Sequence, residues 1–163
     1  MKTANEIAEQ IKLKYSDFVR DCFVQNEKRI WLELDLKNFR NCIEKFISDE
    51  DFPIFCTMTG LDLTDKFQVI YHFSNKNGVM LNIKVSTERQ NPSVISITDL
   101  FPAAELAERE LEDLLGIKVQ GLVAGRRYPL PDKWPQGQYP LRKDWNPDSL
   151  NKTTEKVQDG GEK

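Results

Sequence analysis

The chain has 163 residues, 39% of them apolar and 30% charged, with a formal net charge of −3 and an isoelectric point near 5.3. That length suits one domain with a single sizeable core, and the balance suits a globular protein rather than a disordered one. No stretch approaches the roughly 20 apolar residues a bilayer span needs, no apolar signal core follows Met1-Lys2-Thr3-Ala4-Asn5-Glu6, and the acidic balance argues against non-specific nucleic-acid binding, so the expected location is cytoplasmic.

Ala4, Ile7, Ala8, Ile11 and Tyr15 recur at helical spacing and predict a short amphipathic helix over residues 5–15. Residues 18–25 and 29–35 read as strands joined by the polar turn Asn26-Glu27-Lys28. In the second, Ile30, Leu32 and Leu34 alternate with Trp31, Glu33 and Asp35, so one face is buried and the other half wet. The period then changes: Leu36, Phe39, Ile43, Phe46 and Ile47 mark a helix ending near Ser48-Asp49-Glu50-Asp51. A third strand is expected over 52–59, before Gly60-Leu61-Asp62. Phe67, Val69, Tyr71 and Phe73 define a fourth, and Val79, Leu81, Ile83 and Val85 a fifth, across the turn Asn75-Lys76-Asn77-Gly78. Residues 87–93 read as a polar loop.

The last helix starts near Asp99-Leu100-Phe101-Pro102, with proline in the first turn, and stops at Gly116, the usual residue for a left-handed cap. On a helical wheel Ala103, Ala104, Ala107, Leu111, Leu114 and Leu115 share one arc, Glu108 and Glu110 flank it, and Arg109 points away. The order αββαβββα predicts an α+β fold over residues 1–120: a mostly antiparallel sheet with helices packed on one face.

From Gly121 the character changes. Residues 126–145 hold four of the eight prolines, two of the three tryptophans, Tyr128 and Tyr139. Arg126, Arg127, Lys133, Arg142 and Lys143 against Asp132 and Asp144 leave this stretch at +3 and the rest of the chain at −6. Prolines remove backbone donors, so residues 121–145 form an extended arm rather than a helix or a central strand. Residues 146–163, with only Leu150 and Val157 as sizeable apolar side chains, read as a disordered tail.

Catalytic candidates are few. Cys22, Cys42, Cys56 and His72 include no pair at the spacing by which one loop presents two ligands to a metal. Three thiols exclude a four-thiolate iron–sulfur cluster within this chain and leave a Cys3His zinc site as the one arithmetic option. Against it, each cysteine lies in an apolar run, where a buried free thiol is ordinary. His72 falls in a strand pattern on the face opposite Tyr71 and Phe73. No nucleophile elbow, P-loop or dinucleotide fingerprint is present. Glu105, Glu108, Glu110, Glu112 and Asp113 read as a solvated helix face. The arm is the informative feature, because Trp, Tyr and Arg are the types enriched at protein–protein hot spots. The competing expectation is that the arm wraps its own domain, with the tryptophans plugging the sheet.

Over residues 101–144 these blocks compose a pattern: Pro102-Ala103-Ala104, Glu108-Arg109-Glu110, Asp113-Leu114-Leu115-Gly116-Ile117, Gly121, Arg126-Arg127, Leu130-Pro131, Trp134 and Pro140-Leu141-Arg142-Lys143-Asp144. It resembles the 30-kDa subunit family of respiratory complex I (NADH-quinone oxidoreductase) and the equivalent subunit of energy-converting, membrane-bound nickel–iron hydrogenases. Thr59-Gly60-Leu61-Asp62 and Tyr71-His72 fit more loosely. Where the respiratory family usually has Gly-His-Pro, this chain has Gly121-Leu122-Val123-Ala124. Trp134-Pro135-Gln136-Gly137-Gln138-Tyr139 also lacks histidine. Its flavour leans toward the hydrogenase or formate-hydrogenlyase branch.

The resemblance implies a subunit with no cofactor of its own; iron–sulfur clusters and FMN or a nickel–iron centre are expected in partner subunits. It implies a place in the hydrophilic arm of the complex, clamping the large catalytic subunit beside the small iron–sulfur subunit. No nucleic acid is implied, and the membrane is met only through the complex, at its cytoplasmic face. Expected interface residues are Glu108, Arg109, Glu110, Arg126, Arg127, Trp134, Arg142, Lys143 and Asp144. On this reading Arg142→Glu leaves the isolated fold intact, since the charges of the arm face outward. The alternative is a stand-alone small enzyme or a nucleic-acid-binding module.

Overall fold

The computed structural model describes residues 2–148 and 150. Helix α1 (Ala4–Lys14) starts at a capping box. Thr3 Oγ1 accepts from the Glu6 N–H at 3.2 Å and the Glu6 carboxylate accepts from the Thr3 N–H at 2.7 Å. Two otherwise unpaired donors are thereby satisfied, and Ala4, Ile7, Ala8 and Ile11 face the core. Strands β1 (Val19–Asn26) and β2 (Arg29–Leu34) form an antiparallel hairpin. A 3-10 turn, Leu36–Asn38, leads into α2 (Phe39–Ser48), which buries Phe39, Cys42, Ile43 and Phe46. Strands β3 (Ile54–Asp62), β4 (Lys66–Ser74) and β5 (Met80–Glu88) form a meander.

The sheet order is β1-β2-β5-β4-β3. All pairings are antiparallel except the central β2–β5, which is parallel. The expected α+β class with a mostly antiparallel sheet is therefore present, and the parallel seam is new. One apolar row runs Leu32, Ile83, Tyr71 and Met58; its neighbour runs Leu34, Val85, Val69 and Gly60. The β4–β5 turn is organised by Asn75, whose Oδ1 accepts from the Asn77 and Val79 N–H groups at 2.9 Å, while Gly78 supplies φ +75°.

Two short strands lie in stretches for which no element was expected, the first overlapping the end of the expected 87–93 loop at Ser93. Strand β6 (Ser93–Ile95) pairs in parallel with β7 (Lys118–Gln120), and β5 itself runs on to Glu88. Between β6 and β7 lies the last helical segment: a 3-10 turn Pro102–Ala104, helix α3 (Glu105–Glu110) and a π turn Leu111–Leu115. Gly116 closes it at φ +66°, as its position required. Ala103 is exposed, and Glu108, one helical turn after Ala104, is buried with Leu111 and Leu115; the wider π turn then changes the phase of the wheel and brings Asp113 to the same side. The turn packs closely on β3 at Gly60, where an added Cβ would meet Leu115 and lie 2.7 Å from Leu111 Cδ2.

The expected tail, residues 146–163, lies outside the described residues except for 146–148 and 150, where the Leu150 N–H donates to the Pro147 carbonyl at 3.0 Å.

Candidate functional site

The residues marked out by the sequence gather where the end of α3, the β3 terminus and the arm meet, and three buried carboxylates organise them. Glu108, 1% exposed, accepts from the Ile97 N–H at 2.6 Å and the Ser96 hydroxyl at 2.7 Å. Burial raises its pKa, opposed by those two donors. It is an internal brace between α3 and the segment after β6, so the expectation of Glu108 as a charged contact for a partner is corrected. The reason is its place on the inner arc of the helix.

Asp113 is the second. It accepts from Arg127 Nε at 2.7 Å and from the Leu130 N–H at 2.9 Å, fixing the arm on both sides of the cis Tyr128–Pro129 bond. Arg127 also donates to the Trp134 carbonyl at 2.7 Å. Asp62, with a side chain 2% exposed, is the third. Burial pushes its pKa up, but the Arg89 guanidinium at 2.6 Å and the Lys143 and Thr64 N–H groups outweigh that and hold it at about 2. Arg89 reaches onward to Asp144 at 2.9 Å.

Arg142 completes the strap. Its Nε donates to the Leu115 carbonyl at 2.6 Å, at the negative end of the helical segment, and its guanidinium lies over the rings of Phe67 and Tyr139 at 5.0 and 4.4 Å. Gly116 makes room for this: a Cβ there would lie 2.5 Å from the Tyr139 ring. Trp134 and Trp145 pack together at 6.1 Å, and both indole N–H groups donate to Gln138, at 2.8 and 2.9 Å. The arm thus lies against its own domain, as in the competing expectation, but the two tryptophans pack half-buried on each other within the arm rather than plug the sheet. The outward charge expected for Arg142 is corrected: the helix end gives a cation a better-matched site than solvent does.

Some of the expected residues do face outward. Arg126 has a side chain 83% exposed, and its ion pair with the exposed Asp132 is long, at 3.4 Å. Lys143 is exposed as a side chain, although its N–H is used by Asp62. Glu110 is half-buried. Arg109 was expected to point away from the core; instead the 122–125 segment covers it, with Nη2 bonded to Glu105 at 2.8 Å and to the Val123 carbonyl at 3.0 Å.

Sequence reasoning missed Asp62 and Arg89, which lie outside the arm yet anchor it. The block Thr59-Gly60-Leu61-Asp62 was visible, but nothing local ties it to residue 143. His72 sits on the outer face of the sheet between Asn82 Oδ1 (2.7 Å) and Thr59 Oγ1 (3.2 Å). Cys22 and Cys42 are buried and Cys56 exposed. Among the described residues, no three His, Cys, Asp or Glu side chains converge in a way that could hold a metal ion, and no helix is long and apolar enough to cross a membrane.

An α+β domain of this fold is shared with known proteins. Residues 32–150 match the family described as respiratory-chain NADH dehydrogenase, 30 Kd subunit, and the chain belongs to that family. It is 29% identical over 152 residues to the membrane-bound hydrogenase subunit beta of Pyrococcus furiosus, covering 88% of this chain and 87% of that one. It is 35% identical over 97 residues to a NADH-quinone oxidoreductase subunit of Moorella thermoacetica, an alignment spanning 58% of this chain and 64% of the relative, just under two thirds of its length. Among solved structures, a chain of the membrane-bound sulfane sulfur reductase, an archaeal respiratory membrane complex, shares the fold with a TM-score of 0.79 at 23% identity, covering 98% of this chain and 95% of that one. A trypsin-resistant fragment of Nqo5 shares it with a TM-score of 0.63 at 21% identity, covering 73% and 99%.

Proposed function

We propose that this chain is a cofactor-free assembly subunit in the hydrophilic arm of a membrane-bound NADH-quinone oxidoreductase or a related energy-converting nickel–iron hydrogenase. It clamps the large catalytic subunit beside the small iron–sulfur subunit, at the cytoplasmic face of the membrane. Flavin, iron–sulfur and nickel–iron chemistry belongs to the partners. The observation that carries this reading is the family match across residues 32–150, because it takes in the arm as well as the sheet. The geometry supports a scaffolding role: Asp62, Asp113 and Arg142 fix the arm to α3 and β3, so the surface it offers is preorganised and loses little entropy on docking.

The test is purification of the tagged chain from its native host under mild detergent, with metal and flavin analysis of both the complex and the chain expressed alone. The expected result is a large redox subunit and an iron–sulfur subunit in the complex, and no stoichiometric iron, nickel or flavin on the isolated chain. Purification of the chain without any redox subunit, or a bound metal or flavin on the chain alone, overturns the reading.

A further inference from the structure

Between α3 and residues 122–128 runs an open groove of about 630 Å³. Its apolar wall carries Leu106, 56% exposed, Val123, 75% exposed, and Tyr128, 39% exposed. Three large apolar side chains this open on one surface mark a contact site rather than scattered exposure. Arg126 stands at the rim, 83% exposed, with only the long exposed pair to Asp132.

The backbone of this segment is open as well. Among the described residues, the N–H groups of residues 124–128 donate no hydrogen bond to protein, and only the Val123 carbonyl is engaged, by Arg109. Four consecutive unpaired peptide groups, from the Ala124 carbonyl to the Tyr128 N–H, present a free edge of main chain beside an apolar groove, the arrangement that accepts an added strand. The elements that fix the arm leave this edge alone: Arg127 turns inward to Asp113, and Arg109 fills the space that Gly125 leaves by lacking a Cβ.

We infer that this groove receives an extended acidic segment of a neighbouring subunit. The segment would lay its main chain along residues 123–128, set an apolar side chain against Leu106 and Val123, and pair a carboxylate with Arg126. The charge favours this occupant: the arm carries +3, and the exposed Arg126 guanidinium, held only by its long pair to Asp132, can exchange that partner for a carboxylate that meets it as a closer two-point fork. The inference rests on the assembly role proposed above and names the surface and the chemistry of the contact.

The test is photo-cross-linking in the assembled complex, with a benzophenone amino acid at Val123, purification through the tagged chain and sequencing of the cross-linked peptide. The expected product joins Val123 to an Asp- or Glu-containing segment of another subunit. Arg126→Glu should lower its yield by about tenfold and Arg126→Lys by no more than about threefold, the size of one rim ion pair. A cross-link only within this chain, to a second copy, to lipid, or to a segment lacking carboxylates overturns the assignment, as does a yield unmoved by Arg126→Glu. If the redox subunits are recovered and Val123 yields no cross-link, the groove assignment falls and the assembly role stands. If the unsubstituted chain brings down no redox partner, both fall.

Discussion

Asp62 offers the sharpest perturbation, because one carboxylate ties β3, Arg89 and the arm together. In Asp62→Asn the shape is kept and the charge removed. The amide still accepts one of the N–H groups of Thr64 and Lys143, but Arg89, whose side chain is 19% exposed, keeps only the exposed Asp144 as its ion partner. The magnitude follows from the carboxyl pKa, held at about 2 in the folded chain against an ordinary value of 3.8. A depressed folded-state value stabilises the fold above the unfolded value and ceases to do so as pH falls through the folded one. That difference corresponds to roughly 2 kcal/mol at pH 7, shrinking to roughly half of that at pH 3. The assay is urea denaturation of both proteins, each in a Trp31→Phe background, at pH 7 and pH 3, with the fluorescence of Trp134 and Trp145 reporting the arm and circular dichroism reporting the sheet. The gap between wild type and variant should narrow on acidification. An equal gap at the two pH values would refute the electrostatic account and assign the effect to packing.

Glu108→Gln should keep the bond from the Ile97 N–H while removing a buried charge. Because burial raises the Glu108 pKa, wild type should lose stability relative to this variant as pH rises through that value, and Glu108→Leu, which strands Ile97 N–H and Ser96, should cost about 1–3 kcal/mol at pH 5 in thermal melts. Arg142→Glu puts an anion against the Leu115 carbonyl at the negative helix end and removes the cation over Phe67 and Tyr139. Loss of about 2 kcal/mol and tryptic cleavage between residues 126 and 143 that precedes global unfolding are expected; a protease pattern unchanged from wild type would contradict the strap.

How much of this was legible in the sequence depended on the range of the interaction. His72 and Tyr71 were placed on opposite faces because a strand alternates with period two, whatever it pairs with. The family pattern in residues 101–144 was legible for another reason: buried carboxylates, their cations and the glycine that admits them leave a residue-type signature even when their partners are unknown. What the pattern did not tell was direction. Glu108 and Arg142 were read as facing a partner, since a charged residue at the edge of an apolar arc looks the same whether it braces its own chain or another. Asp62 stood in a visible block and Arg89 in none, but neither pointed to the arm, because a contact across 81 residues leaves no trace in local periodicity.

The sequence by itself determined the amphipathic faces of α1, α2 and the long strands, the turn at Gly78 and the helix stop at Gly116, all of which depend on spacing and on glycine's freedom at positive φ. Only the tertiary structure decided that β2 and β5 pair in parallel, that β6 and β7 form a sheet at all, and that a π turn rotates Asp113 inward to receive Arg127. Periodicity fixes which side of an element is apolar. Which element meets that side, and in which direction, is fixed by the cheapest way to bury all of those faces together while pairing every carboxylate that goes inside with them.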